Sequence, residues 1–547
     1  MFEKGISVRL AAFLVRIFAA AWRRTRPWRR TASQRLLCRI DSFRLRDDEY
    51  VVSPDRKRVV YVAAAGDKEF VIVEGKAEKQ YDAIGAGGPT FSPDGRRVAY
   101  AAQAGDKWLL VVEGEEQNHY DALWWSRDAI FSPDGMRAAY TARLGRKLSA
   151  VIDGREEGSY DGLEARGPVF SPDSKRVAYS AEVGHKWFVV VDGKKGEEHD
   201  DIGSGTPIFS PDSKRLAYSA EVGHKWFVVV DGKKGEEHDR IGAGTPIFSA
   251  DSSRVAYIAE TGHRWFVVVD GREQKEYDGI GIGTPLFSPD SRHLAYRAYA
   301  ANRWVVVVDG EEGRDYDEIG HGDLMFSPDS KRLAYAAQVR RACFVVVDGK
   351  EQQQYDEIGH GDLMFSPDSR RLAYRARLGD EWFVVADGRE ERKYGYILAG
   401  TLKFSPHGNR LAYAAGAGRK QLVVVDGKQE KKYDGIGEGD PVFSPDSKRV
   451  AYAAVLGDKW LVVSDGKRGS RFDAIAQGPI FSPDSKRLAY AAALRDNWFV
   501  VLDRARGNKY DRIVTPSGET LTFDSPHSLH YLAEKRTGVY LVEEHIK

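Results

Sequence analysis

One tetrad returns along most of this chain at an almost constant interval. Phe-Ser-Pro-Asp begins at Phe91, Phe131, Phe170, Phe209, Phe287, Phe326, Phe365, Phe443 and Phe481. Variants begin at Val52, Phe248 and Phe404, and a weaker one at Phe523. From Val52 the intervals are 39 and 40 residues, then eight of 39, then 38 and 42. Thirteen similar units therefore cover the chain from about residue 45 to residue 547. A fixed period of this length marks a repeat architecture, in which each unit buries its apolar faces only against its neighbours. The units starting at Phe170 and Phe209 differ at only three of 39 positions: Val177/Leu216, Asp201/Arg240 and Ser204/Ala243. Most repeated residues therefore serve the repeat itself.

One unit can be read from Pro207 to Gly244. Ile208-Phe209 ends a short strand. Ser210-Pro211-Asp212-Ser213 is a turn, because Pro presets φ and Asp and Ser bond to nearby backbone. Leu216, Tyr218 and Ala220 alternate on one side of a second strand. Gly223 breaks it. Trp226-Phe-Val-Val-Val230 is apolar on both sides, so this third strand is buried on both faces. Asp231-Gly232 fits a two-residue hairpin turn. A shorter polar strand runs on to Asp239 and Ile241, and Gly242 and Gly244 link to the next unit. Four short antiparallel strands in about 40 residues make a β-propeller blade. The expected fold class is all-β, a propeller of about thirteen four-stranded blades, with strands A to D in chain order. Trp108, Trp187, Trp226, Trp265, Trp304, Trp382, Trp460 and Trp498 open strand C in eight units and are expected to carry much of the burial between blades.

The pattern F-S-P-D-[SG]-[KR]-[KR]-[LV]-A-Y, followed by an apolar strand ending in Asp-Gly, resembles the WD40-like PD40 repeats of TolB-type bacterial propellers. The resemblance covers nearly all of the chain after residue 45. It implies a protein-interaction module. The same blade also stands beside hydrolase domains in prolyl-oligopeptidase-type enzymes.

Propellers usually carry about 4–8 blades. Thirteen units favour two rings, seven blades in residues 41–320 and six in residues 321–547, with a single large ring or an open spiral as the alternatives. The last unit ends after its C strand, Val539–Val542. At the other end, Ser42-Phe-Arg-Leu-Arg46 is expected to supply the missing D strand and so remove an unpaired edge.

Residues 1–40 stand outside the repeat. Ser7–Trp22 is mostly apolar but contains Arg9 and Arg16, and five arginines follow it between Arg23 and Arg30. The run is short for a transmembrane helix, and most of its positive charge comes after the apolar part, unlike an export signal. A poorly ordered or wrongly assigned start, a basic amphipathic helix on a membrane surface and a cleaved export signal all remain open. A cytoplasmic or membrane-associated location is expected, and the TolB resemblance adds periplasmic export as an alternative.

Chemistry is scarce in this sequence. Lys plus Arg is 82 against 81 for Asp plus Glu, a net charge of +1, which argues against nucleic acid as the partner. Two cysteines, Cys38 and Cys343, exclude a disulfide framework and a cysteine-based zinc module. No G-x-S-x-G elbow, H-E-x-x-H helix or phosphate loop occurs. No enzyme activity, cofactor or metal is expected. Repeated Asp residues, such as Asp278, Asp317, Asp356 and Asp434, are read as turn and loop hydrogen-bonding groups, and the Lys-Arg pairs after each Ser-Pro-Asp as a solvated charged rim.

The candidate contacts are departures from the repeat or tips of its loops. Trp124-Trp125 replaces the usual Ile-Gly between strands D and A. His185-Lys186, His224-Lys225 and His263-Arg264 occupy one B–C loop position in three successive units. Arg340-Arg341 replaces Gly-His or Gly-Asp at that position. Tyr394-Gly-Tyr396 replaces Tyr-Asp. His321-Gly-Asp323 and His360-Gly-Asp362 lie between D and A. The expected function is a monomeric, non-catalytic scaffold binding a protein or peptide through Trp124, Trp125, His185, Lys186, His224, Lys225, His263, Arg264, Arg340 and Arg341. A lectin-like propeller binding carbohydrate or another small ligand is the alternative, and an enzyme with an unrecognised site is the third reading.

Overall fold

The computed structural model describes residues 30–39, 44–45, 50–124, 131–205, 207–320, 324–439, 441–476, 478–514 and 521–546. Among the described residues every helical or strand element is a strand. The strands form thirteen antiparallel sheets, the blades of a single ring. Blade 5 is representative. Its strand A comes in two pieces, Asp201–Ile202 and Ile208–Phe209. Strand B is Leu216–Val222 and strand C is Lys225–Val230. Strand D is Lys233–Lys234, prolonged by a bridge between His238 and Trp226. Alternation of direction places A–B and C–D turns at one end of the strands, and B–C turns with the D–A crossovers at the other.

One boundary differs from the sequence reading. Arg240 and Ile241 do not end strand D of blade 5; they pair with Glu260 and Ala259 and begin strand A of blade 6. The chain changes sheet at Asp239, whose N–H donates to the Glu260 carbonyl at 2.7 Å. A strand that passes from one sheet to the next without turning leaves no Gly or Pro to mark the place.

Every blade packs on the next through buried residues of strands B and C. At the junction of blades 5 and 6 these are Val228, Tyr257, Ala259, Phe266 and Val268. The tryptophans that open strand C contribute less than the sequence suggests: Trp226 and its equivalents are half-buried, at the end of the strand. Full burial falls on Phe227, Val228 and Val229 and on the strand B tyrosine, Tyr218. Fully burying one such side chain is worth about 1.5–3 kcal/mol, so stability is spread around the ring.

The ring is single and closed. Residues on either side of position 320 share one cluster, with Val306 and Tyr316 of blade 7 against Leu333, Tyr335 and Val346 of blade 8. Blade 13 packs on blade 1 in the same way, Leu532, Val539 and Leu541 against Val59, Tyr61, Phe70 and Ile72. The missing D strand of blade 13 does come from the N-terminal side, but from Arg30–Arg39, which pairs along Gly538–Ile546. The segment expected to do this, Ser42–Arg46, has a different role where it is described: Arg44–Leu45 pairs with Ala63 and Ala64 as the first piece of strand A in blade 1. Leu45 precedes Val52 as Ile280 precedes Phe287, and Ile280 is itself in strand A of its blade.

Two hydrogen-bonded clasps join successive blades. At the A–B end, Arg215 Nε donates to Asp231 Oδ2 at 2.9 Å within blade 5. Its Nη1 donates to the carbonyls of Ser252 and Ser253 in blade 6, at 3.1 and 2.9 Å. Its guanidinium lies 5.3 Å from the centroid of the Phe248 ring. The second residue of the Lys-Arg pair is likewise a clasp in blades 1, 4 and 11, where Arg58, Arg176 and Arg449 reach carbonyls of the next blade, and the first projects into solvent: the Lys214 side chain is 83% exposed. At the B–C end, Asp239 takes Lys225 Nζ at 2.6 Å and the Gly262 N–H of blade 6 at 2.7 Å.

Candidate binding face

The B–C end of the ring collects most of the residues singled out in the sequence. A two-residue turn between strands B and C bends back in the left-handed region, as at Gly184 (φ 59°) and His185 (φ 65°). His224 and His263 repeat this conformation at φ 65° and 64°. All three imidazoles project fully into solvent, 3.7, 3.7 and 3.8 Å from Glu182, Glu221 and Glu260 respectively. The cations after them are not free. Lys186 pairs with Asp200 and Lys225 with Asp239, at 2.5 and 2.6 Å, and Arg264 pairs with Asp278. Lys186 and the Gly223 N–H together hold the Asp200 carboxyl below the usual carboxylate range, and Lys225 with Gly262 does the same for Asp239. These cations fix the turns, and the histidines are what the turns display.

Asp278, Asp317, Asp356 and Asp434 have the hydrogen-bonding role expected of them. Asp278 accepts from the Ala301 N–H at 2.9 Å, Asp356 from Gly379 at 2.6 Å and Asp434 from Gly457 at 2.9 Å. Asp317 accepts from the N–H of Arg340. Arg340 takes the positive-φ position of its turn at 58°, and Arg340 and Arg341 are both exposed.

Trp124 lies on a strand, not on a connecting loop. It ends the first piece of strand A in blade 3, Ala122–Trp124, opposite Thr141. Its side chain is exposed, and the Arg143 guanidinium stands 5.5 Å from its ring centroid. Trp124 and Leu123 wall a cleft of 350 Å³ whose other side is Gly85, Gly87, Ala101 and Trp108 of blade 2. Trp125 lies outside the described residues, as do His321-Gly-Asp323 and residues 1–29. Tyr396 is exposed and begins strand A of blade 10, while Tyr394 is buried. His360 is exposed, but Asp362 turns inward, buried against Arg375. Among the described residues no three His, Cys, Asp or Glu side chains gather as metal ligands. Among them, too, no helix is long and apolar enough to cross a membrane.

Sequence reasoning passed over the buried histidines. His199 and His238 stand where most other blades have Tyr, packed edge-on against Tyr218 and Phe227, and against Tyr257 and Phe266. Burial holds both pKa values below the ordinary imidazole range. The replacement of Tyr by His in an otherwise constant Tyr-Asp pair was the available signal.

No protein-family model matches this sequence, and no curated protein does. Solved structures that overlay on it include a eukaryotic initiation factor, at 12% identity over 62% of this chain and 97% of that one, with a TM-score of 0.30. The GH74 enzyme of Niastella koreensis overlays at 9% identity over 93% and 99%, with a TM-score of 0.25. The Dos1 propeller overlays at 12% identity over 61% and 91%, with a TM-score of 0.26. Overlays this loose carry no argument about family or activity. What stands is the architecture: a β-propeller of thirteen blades in one ring.

Proposed function

We propose that the ring is a non-catalytic scaffold that binds a protein or peptide partner at its B–C end. The observation that carries this reading is the exposed Trp124 on its apolar cleft with Trp108, Leu123 and Ala101. Trp is enriched among residues that dominate binding energy at protein interfaces, and this one is held on a paired strand. The displayed histidines of blades 4 to 6 and Arg340 and Arg341 of blade 8 supply polar contacts at the same end of the strands. The resemblance of the repeat to TolB-type propellers, which act as protein-interaction modules, supports the same reading.

The test is a pull-down from the source cell with the full chain and with Trp124→Ala. The variant is expected to recover the partner at about one tenth of the wild-type yield or less, as for truncation of a dominant interface residue. Equal recovery by both proteins contradicts the assignment. Three identical Gly-His turns on successive blades favour, as a second reading, a polymer with repeating units such as a glycan, bound multivalently. Binding on a glycan array that is lost in a triple His185, His224 and His263→Asn variant would mark that reading out.

A further inference from the structure

At the A–B end of the ring, a side chain closes the gap between neighbouring blades at several junctions. It belongs to the third residue after the glycine of the C–D turn. At three of the four junctions where that residue is glutamate, its carboxylate accepts a hydrogen bond from the strand B tyrosine of the next blade; at the fourth, Tyr179 donates to the main-chain carbonyl of Glu157 at 3.2 Å. Tyr100 donates to Glu78 at 2.5 Å, Tyr413 to Glu391 at 2.7 Å and Tyr452 to Glu430 at 2.6 Å. In blade 13, Tyr531 donates to a carboxylate of its own blade, Glu544 on strand C, at 2.8 Å. Where the residue is glutamine, as at Gln117, Gln274 and Gln352, the facing hydroxyls of Tyr140, Tyr296 and Tyr374 make no hydrogen bond among the described residues. Three glutamates at this position thus reach the tyrosine, and the three glutamines do not.

The residue at this position is glycine in blades 4, 5, 7, 11 and 12 (Gly196, Gly235, Gly313, Gly469 and Gly507), and clefts open beside Gly235 and Gly469; a cleft of 290 Å³ also remains beside Gln117. The clefts measure 460 Å³ beside Gly235 and 280 Å³ beside Gly469. A side chain built on Gly235 would start 3.0 Å from the Val228 carbonyl oxygen and 3.4 Å from the Tyr257 hydroxyl, and one on Gly469 would start 2.9 Å from the Val462 carbonyl oxygen and 3.8 Å from the Tyr490 hydroxyl. Among the described residues neither hydroxyl has a hydrogen-bond partner. Both clefts carry carboxylates, but these are already engaged. Asp231 and Asp270 each accept from a clasp arginine and a backbone N–H, and Asp465 and Asp503 do the same. Lys233 in one cleft and Lys467 in the other stand at the rim.

We propose that the two clefts are binding sites for a carboxylate on a slim aliphatic stem, which supplies the group that glutamate supplies at the plugged junctions. The carboxylate accepts from Tyr257 or Tyr490 and is neutralised by Lys233 or Lys467. The stem fills the space left by the missing side chain. Its source is either a free small acid or the glutamate side chain of a bound peptide. The inference does not rest on the B–C end binding a partner, since the clefts lie at the opposite end of the strands.

The test titrates the full chain with butyrate, with butyramide and with the capped peptide Gly-Glu-Gly, followed by saturation-transfer NMR and calorimetry. The expected result is binding of butyrate, of the peptide or of both, with butyramide at least about tenfold weaker, as for loss of a hydrogen bond to a charged acceptor. Butyrate binding without peptide binding assigns the clefts to a small acid, and the reverse assigns them to an acidic side chain. Gly235→Glu with Gly469→Glu supplies the carboxylate that glutamate supplies in other blades and should abolish binding. Should that pair fail to fold, Tyr257→Phe with Tyr490→Phe should weaken binding about tenfold. Absence of binding by both acids, equal binding of butyramide, or binding unchanged in either folded pair overturns the proposal.

Discussion

His530 Nε2 lies 2.9 Å from the carbonyl oxygen of Asp55, a residue 475 positions earlier in the chain. The other nitrogen of the same buried ring is 2.9 Å from Asp524, which also takes Lys57 at 2.9 Å. These contacts, with Tyr50 donating to Glu534 at 2.9 Å, fasten the last blade to the first. A ring closed this way leaves no blade with an uncovered face.

Closure also depends on Arg30. Its guanidinium pairs with Glu544, a fully buried carboxylate, and donates to the carbonyls of Ala505 at 3.0 Å and Val500 at 3.1 Å in blade 12. Arg30→Ala leaves Glu544 buried without its cation and should cost about 3–5 kcal/mol. Arg30→Ala combined with Glu544→Gln should cost clearly less. Urea unfolding of the two variants against the parent checks both statements.

Deleting residues 1–39 removes strand D of blade 13 and bares the edge of Gly538–Ile546. An unpaired edge recruits other strands. The truncated chain should therefore associate as its concentration rises, which analytical ultracentrifugation over a hundredfold range would show.

The clasp arginines are predicted to be irreplaceable by lysine. Arg215 uses two different nitrogens to reach Asp231 in its own blade and two carbonyls in the next. A single ammonium cannot span that geometry. Arg215→Lys should lower stability about as much as Arg215→Met, by about 1–3 kcal/mol, read from the thermal midpoint of each variant.

Acid should weaken the ring through blades 4 and 5. Burial depresses the pKa of His199 and His238 in the folded chain, whereas an unfolded imidazole takes up its proton near pH 6.5, roughly. Below that pH the unfolded chain binds more protons, so this part of the stability is present above it and is lost as the pH falls toward the folded values. The melting temperature should fall more between pH 7.5 and 5.5 in the parent than in the His199→Tyr, His238→Tyr double variant. Tyrosine is already accommodated at this position in other blades, as at Tyr277 and Tyr433.

The blade was legible because its boundaries are chemically marked. Ser-Pro-Asp, Gly-His and Asp-Gly each force a turn, and the apolar run Trp226–Val230 can be buried on both sides only between two sheets. The passage from strand D to the next strand A was not legible, because Asp239 changes sheets without a turn. Closure was read in principle but placed on Ser42–Arg46, since the repeat offers no template for a strand such as Arg30–Arg39 that has no counterpart in any other unit. Trp124 was found as a departure from the repeat, whereas its place on a strand depends on that same unmarked crossover. The clasps needed geometry: a Lys-Arg pair reads as surface charge until the second guanidinium is seen crossing to the next blade.

Counting blades in electron-microscopy class averages of the full chain, viewed down the ring axis, tests the closed ring most directly. One disc with thirteen radial lobes around a single centre is the predicted image. Two smaller discs, or a broken arc with a gap between the first and last lobes, would contradict it.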